Sequence, residues 1–252
     1  TPLGQPGNKR PRLFRLKKNS GIINRIGFNN HGAAASVQKL SKPHKSIVGG
    51  NLGKNTATPN DLAINDYVSN FNQLFDVVDY FVVNVSCPNI SDLHELQDQE
   101  ALTGILMRLQ EINQLKPKPK PILLKVSPDL NNKQLDEVIE IVRNTNIHGV
   151  VATNTTITRN TLRHESERAA QIGNGGLSGL PLKQRSTEVI RYLAEKSGKA
   201  FPIIGVGGIM TADDALEKIK AGADLVQVYT GFIYDGPFLA RKINKLLLKE
   251  QP

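Results

Sequence analysis

A chain of 252 residues, 39% apolar and 22% charged, is long enough for one large α/β domain and has an ordinary globular composition. No apolar run approaches the roughly 20 residues of a membrane span, and no signal peptide opens the sequence. A single cysteine excludes an intramolecular disulfide and fits a reducing compartment.

The net charge of +9 is unevenly placed: residues 1–60 hold eleven Lys or Arg and no Asp or Glu, whereas the remainder holds 21 basic and 23 acidic side chains. Such a basic quarter fits a solvated face near an anionic ligand, an anionic lipid surface or a nucleic-acid patch. Only Phe14 and Phe28 interleave with these charges, which argues against nucleic acid.

In chain order, Leu13–Leu16 and Ile22–Ile26 read as the arms of a β-hairpin around Lys17-Lys18-Asn19-Ser20-Gly21. Strands are then expected at Ser46–Asn51, Asp79–Val85, Ile122–Val126, Gly149–Asn154, Ile203–Gly207 and Leu225–Tyr229. Most are rich in Val, Ile and Leu without strict alternation, the pattern of parallel strands covered on both faces. Helical periodicity falls between them, at about 59–76, 95–114, 131–145, 183–197, 211–221 and 236–249. Thr58 or Asn60, Asn131 and Thr211 supply start signals. Lys116–Pro121 reads as a stop and a linker turn.

Strand–helix alternation predicts a parallel α/β protein. No GxGxxG joins an early strand to a helix, so the dinucleotide fold is disfavoured. Polar and glycine signatures instead recur at strand C-termini, where (β/α)8 (TIM) barrels place their active sites. A barrel is therefore expected, with about six of its eight βα units in this chain and roughly two strands missing on the N-terminal side. Residues 1–252 are read as one barrel domain, N-terminally incomplete, with residues 1–30 as an insertion at its mouth.

Strand 79–85 runs into Asn84-Val85-Ser86-Cys87-Pro88-Asn89, which brings two amides and the only cysteine to one loop. A thiol with a pKa of about 8.5 takes a proton near neutrality far more readily than a hydroxyl. Asn84, Asn89, Asn154 and Asn24 offer both donors and acceptors, and amides are expensive to bury without partners; four at one mouth point to a polar ligand. Three glycine stretches, Gly176-Leu-Ser-Gly179, Gly205-Val-Gly-Gly208 and Val226-Gln-Val-Tyr-Thr-Gly231, fall at consecutive strand ends. Glycines let backbone approach an anion, and the helix start at Thr211-Ala-Asp-Asp would add N–H groups, so a phosphate site is expected. Lys125 ends the buried strand Ile-Leu-Leu-Lys-Val. It either reaches a partner such as Asp129 or stands beside an electron-rich cofactor edge.

These segments resemble dihydroorotate dehydrogenase, the flavin enzyme of pyrimidine synthesis. The matching stretches are GNKRPRLFRL, INRIGFNNHG, GGNLGKN, NVSCPN, LLKVSPDL, VVATNTT, GGLSGLPL, PIIGVGGI and LVQVYTGFIYDGP. The resemblance implies FMN held by Asn51, Asn84, Lys125, Thr153, Gly179, Gly208, Tyr229 and Thr230. It implies dihydroorotate held by Asn24, Arg25, Ile26, Gly27, Phe28, Asn84, Asn89, Asn154 and Thr155, with Cys87 as the base and no metal. The PRLFRL hairpin resembles the membrane-associated, quinone-using class, in which Arg15 would fall near the quinone. A segment absent from this chain would dock at the cytoplasmic side of the membrane, the present chain being soluble.

Two positions depart from that class: it normally has serine where Cys87 stands, and Ser91-Asp92-Leu93-His94 replaces a glycine-leucine-arginine run. The alternatives are an FMN-dependent tRNA dihydrouridine synthase, which the basic first quarter fits, and a non-catalytic fragment. A chain without the two N-terminal strands is expected to bind FMN poorly.

Overall fold

The structure, a computed structural model, describes residues 1–43, 45–85 and 96–250. The chain gathers into two units. The first comprises residues 1–8, 26–125 and 137–149, and the second residues 9–25, 126–136 and 150–252.

In the first unit, short strands β1 (Leu3–Gln5) and β4 (Asn30–Gly32) pair antiparallel. Three parallel strands follow, β5 (Gly49–Leu52), β6 (Tyr80–Asn84) and β7 (Ile122–Val126), with β6 in the middle. Helix α1 (Ala33–Leu40) precedes them, α2 (Ala63–Leu74) joins β5 to β6, and α3 (Leu96–Gln114) leads into β7. Each crossover of a parallel pair needs such a helix, which is why the apolar runs alternate with amphipathic ones. The core contains an aromatic cluster: the Phe71 ring lies 4.4 Å from Phe81 and 5.4 Å from Phe75, and Phe71 and Phe81 are fully buried. Gly49 leaves room for the Tyr80 ring, since a Cβ there would come within 2.4 Å of it.

Residues 116–121, expected as a mere linker turn, do more. The Lys120 ammonium donates to the carbonyls of Phe75 and Val78 and stands 4.7 Å over the Phe75 ring, with Lys116 4.8 Å over the same ring. The turn thus pins the end of α2 against β7.

The second unit holds the hairpin β2 (Leu13–Leu16) and β3 (Gly21–Asn24), closed by a 3-10 turn at Lys17–Asn19. Its parallel strands are β8 (Gly149–Ala152), β10 (Ile203–Val206) and β11 (Leu225–Gln227), with β10 in the middle. Residues 176–179, expected as a glycine loop, instead form strand β9 (Gly176–Gly179), antiparallel to β3. With glycine at both ends, this strand approaches the hairpin closely: a Cβ at Gly179 would come within 2.3 Å of the Ser20 carbonyl.

Helix α4 (Asn132–Thr145) starts where Asn131 and Gln134 exchange side-chain and backbone hydrogen bonds, at 3.0 and 2.8 Å. Helices α5 (Ser166–Ile172), α6 (Lys183–Ser197) and α7 (Ala212–Lys220) follow. The expected helix 236–249 is α9 (Phe238–Glu250), and a short unexpected helix, α8 (Thr230–Asp235), precedes it, separated from it by Gly236 at φ 83° and Pro237.

Six parallel strands are therefore present among the described residues, three in each unit. Ile122–Val126 matches its expectation residue for residue. Strands β8, β10 and β11 stop one or two residues early, where the polar and glycine positions turn into loops.

The aromatic core makes a direct prediction. Phe71→Ala should cost about 3–5 kcal/mol in a urea titration, and a loss under 1 kcal/mol would show that the three rings do not form one core.

Candidate functional site

In the first unit, Asn84 and Lys125 are register partners at the ends of β6 and β7, and Asn51 lies opposite Val82 on β5. Asn84 is buried and its carbonyl accepts from the Tyr67 hydroxyl at 3.1 Å. Asn51 is exposed and Lys125 half-buried. Burial pushes the Lys125 ammonium below the ordinary lysine range, and no carboxylate among the described residues pairs with it. Asp129, weighed as its partner, accepts from the Thr156 hydroxyl, the Ile157 N–H at 2.9 Å and the Thr158 hydroxyl at 3.4 Å.

The same unit holds Ile26, Gly27 and Phe28. Gly27 (φ 72°) sits where a Cβ would meet Asn8 at 2.8 Å, and the Gln5 amide donates to the carbonyls of Gly27 and Phe28 at 3.3 and 3.1 Å. This loop is fixed by its backbone.

The second unit gathers the remaining candidates around β9. Asn24 ends β3 opposite Gly176 and donates to its carbonyl at 3.3 Å. Thr155 packs against Gly176 so closely that a Cβ there would lie 2.1 Å from the Thr155 hydroxyl. Asn154 follows Thr153, whose N–H donates to the Val206 carbonyl at 2.7 Å; the Asn154 N–H donates to Val126 at 2.8 Å, and its Oδ1 accepts from the Thr155 N–H at 2.9 Å. Asn24, Asn154 and Thr155 are thus held around one glycine strand. Arg25 differs: its guanidinium donates to the Ile172 carbonyl at 2.6 Å and stands 4.9 Å over the Phe14 ring, a packing role for the hairpin. Arg15 lies 5.0 Å over the Tyr234 ring, and the Tyr234 hydroxyl is 3.0 Å from the Gly21 carbonyl, tying α8 to the hairpin.

Two of the glycine stretches meet at Thr230-Gly231, and Ile209, the residue after the remaining stretch, reaches the same point. The buried Thr230 hydroxyl donates to the Ser178 hydroxyl at 2.9 Å; a Cβ at Gly179 would touch the Thr230 methyl at 3.0 Å, and one at Gly231 would meet the Ile209 carbonyl at 2.1 Å. Gly207 and Gly208 have φ of 128° and 69°, conformations that side chains disfavour. Tyr229, the residue before Thr230, is exposed. The start of α7 does not join this cradle, contrary to expectation. The Asp214 carboxylate accepts from the N–H groups of Met210 and Thr211 at 2.9 and 2.8 Å, and Thr211 caps Asp214. That capping box occupies the donors an anion would use.

Cys87 and Asn89 lie outside the described residues. Among the described residues no cluster of His, Cys, Asp or Glu could hold a metal ion, and no helix is long and apolar enough to cross a membrane. Sequence reasoning missed the roles of Asp129 and Arg159. The Arg159 guanidinium donates to the Ile157 carbonyl at 3.1 Å and the Gly175 carbonyl at 2.5 Å, so these two residues hold the loop after Asn154 from either side. Only the pairing of TNTT with a distant Asp in SPDL could have suggested this.

Lys125 yields a pH prediction. A folded-state pKa below the unfolded value means the folded chain binds fewer protons between the two, so stability from this group rises with pH toward about 10.4. In ligand-free protein, Lys125→Met should be more stable than wild type at pH 7, with the gap closing as pH rises. A wild type that is the more stable at pH 7 would reveal a partner for the ammonium.

The comparisons with known proteins agree with one another. The family model for dihydroorotate dehydrogenase matches residues 1–250. The dihydroorotate dehydrogenase (quinone) of Christiangramia forsetii is 58% identical over 250 residues, 99% of this chain and 72% of that protein. The protein of the same name from Thermosynechococcus vestitus is 48% identical, over 97% of this chain and 68% of its own length. The crystal structure of DHODH from Eimeria tenella in complex with ferulenol superposes with a TM-score of 0.87 at 32% identity, covering 98% of this chain and 72% of that one. The strand–helix alternation is that of the same α/β (TIM) barrel fold. The chain belongs to the dihydroorotate dehydrogenase family.

Proposed function

We propose that the chain carries the catalytic machinery for oxidising (S)-dihydroorotate to orotate in pyrimidine biosynthesis, with FMN as cofactor and quinone as electron acceptor. The observation that supports the cofactor is Lys125, a buried-side ammonium in register with Asn84 and without an acidic partner among the described residues. An uncompensated cation at a strand end is costly, and the electron-rich edge of a flavin ring supplies the compensation. The donor set fits in a second respect: glycine backbone at Gly179 and Gly208, with Thr230 and Tyr229, offers N–H and hydroxyl groups suited to a phosphate. FMN, when bound, supplies a hydride acceptor that later passes electrons to quinone.

The chain's own residues supply the rest. Cys87, in the NVSCPN sequence, takes the proton from a substrate ring carbon as the hydride leaves the neighbouring carbon, so two hydrogens depart and a ring double bond forms. Asn24, Asn84, Asn89, Asn154 and Thr155 orient the ring by its amide and carboxylate groups, and the loop Ile26, Gly27 and Phe28 flanks it. Lys125 and Asn51 face the flavin, and the Lys125 charge stabilises negative charge that gathers there. Thr153 at the end of β8 completes the cofactor contacts. Arg15 stands on the side where quinone enters, and the basic hairpin faces an anionic membrane surface.

Neither alternative is favoured: the tRNA-modifying reading has no support in the family match, and the non-catalytic reading has none in the relatives' names.

The test is the base. With a soluble quinone analogue, Cys87→Ala should lose at least about a hundredfold in kcat. Cys87→Ser should keep part of the activity, with its rise displaced to higher pH because a hydroxyl holds its proton more tightly. A pH profile unchanged in Cys87→Ser would overturn the assignment of Cys87.

A further inference from the structure

Lys218 is the one lysine with no exposed surface among the described residues, and nothing in the reaction uses it. Its ammonium donates at 2.6 Å to both the Lys183 carbonyl and the Thr187 hydroxyl, in the first turn of α6. Burial pushes its pKa down to about 8, against the opposing pull of the Glu217 carboxylate. Keeping a charge there is expensive, and an apolar residue of the same volume would ordinarily serve stability as well or better.

The network continues from Lys183 to the loop after β10. The Lys183 ammonium pairs with Asp214 at 2.5 Å and Glu217 at 2.9 Å. Through its other oxygen Asp214 holds the N–H groups of Met210 and Thr211, the far end of the loop that starts at Gly207. The near end rests on the same helix start. A Cβ at Gly208 would lie 2.3 Å from the Lys183 Cα, and one at Gly207 2.9 Å from Ser186, whose hydroxyl donates to the Val206 carbonyl at 2.8 Å. Loop 207–211 is therefore seated on Lys183 and Ser186 at one end and tied by Asp214 at the other. Lys218 fixes the backbone of Lys183 from beneath.

We propose that Lys218, with Lys183 and Asp214, is a positioning residue that sets the Gly207–Gly208 backbone for the phosphate end of the flavin. The inference rests on the cofactor reading above and adds to it. Lys218 touches neither cofactor nor substrate; it acts through the α6 start. A loss of this positioning weakens contacts to phosphate and leaves contacts to the flavin ring unchanged.

The experiment compares FMN with riboflavin, which lacks the phosphate. Starting from the flavin-stripped holoenzyme, fluorescence quenching gives both affinities for wild type, Lys218→Met and Asp214→Asn. Wild type should prefer FMN, and Lys218→Met should weaken FMN by about tenfold or more, the scale of one or two lost buried hydrogen bonds, with riboflavin affinity held within about twofold. Asp214→Asn, which keeps an acceptor for the cap, should move the ratio the same way if Lys218→Met does not fold. An equal loss for both flavins, or an unchanged ratio in both variants, would overturn the proposal. A wild type that does not prefer FMN would instead overturn the cofactor reading on which it stands.

Discussion

A parallel strand covered on both faces has one place for a polar side chain, its end. This constraint organises the protein. Tyr80–Val83 run up to Asn84, the last residue of their strand, and Ile122–Leu124 run up to Lys125, the last residue but one of theirs. Thr153 and Asn154 follow Ala152 in the same way, and Gly207 and Gly208 follow Val206. Side chains that would destabilise a core are thereby placed at one edge of each strand.

The second principle is close approach. Strand β9 has room for the hairpin, Thr155 and Thr230 because Gly176 and Gly179 carry no side chain. The hairpin does not hang free: Asn24 bonds Gly176, Ser178 sits under Thr230, and Tyr234 reaches back to Gly21. Residues far apart in sequence, from 24 to 234, are in this way held around one short strand. Asp129 and Arg159 in turn brace residues 156–158.

Much of this was legible in the sequence, and for identifiable reasons. β7 was found to the residue because Ile-Leu-Leu-Lys-Val is flanked by prolines and has no competing periodicity. The start of α4 was readable because Asn131 caps it. What was hidden depends on tertiary partners. Gly-Leu-Ser-Gly is a loop by composition and becomes a strand only because β3 offers a pairing edge. Thr211-Ala-Asp-Asp looked open to an anion, yet Asp214 turns back to cap its own helix. Lys120 was set aside within a Pro/Lys-rich turn, but carbonyls of Phe75 and Val78 lie within reach only after α2 folds. Short helices α1 and α5 have too few turns to declare a period. The candidate site residues stand in recognisable motifs, whereas the braces Asp129, Arg159 and Lys218 do not, since nothing local marks a side chain whose partner is distant in sequence.

The central claim is that this barrel oxidises dihydroorotate through a bound flavin. The most direct test is the visible absorbance of the purified full-length gene product, taken without oxygen, before and after adding dihydroorotate. The account predicts a flavin band that bleaches on addition and returns when quinone is supplied. A flavin band that dihydroorotate leaves unchanged, or a protein that carries no flavin, would contradict it.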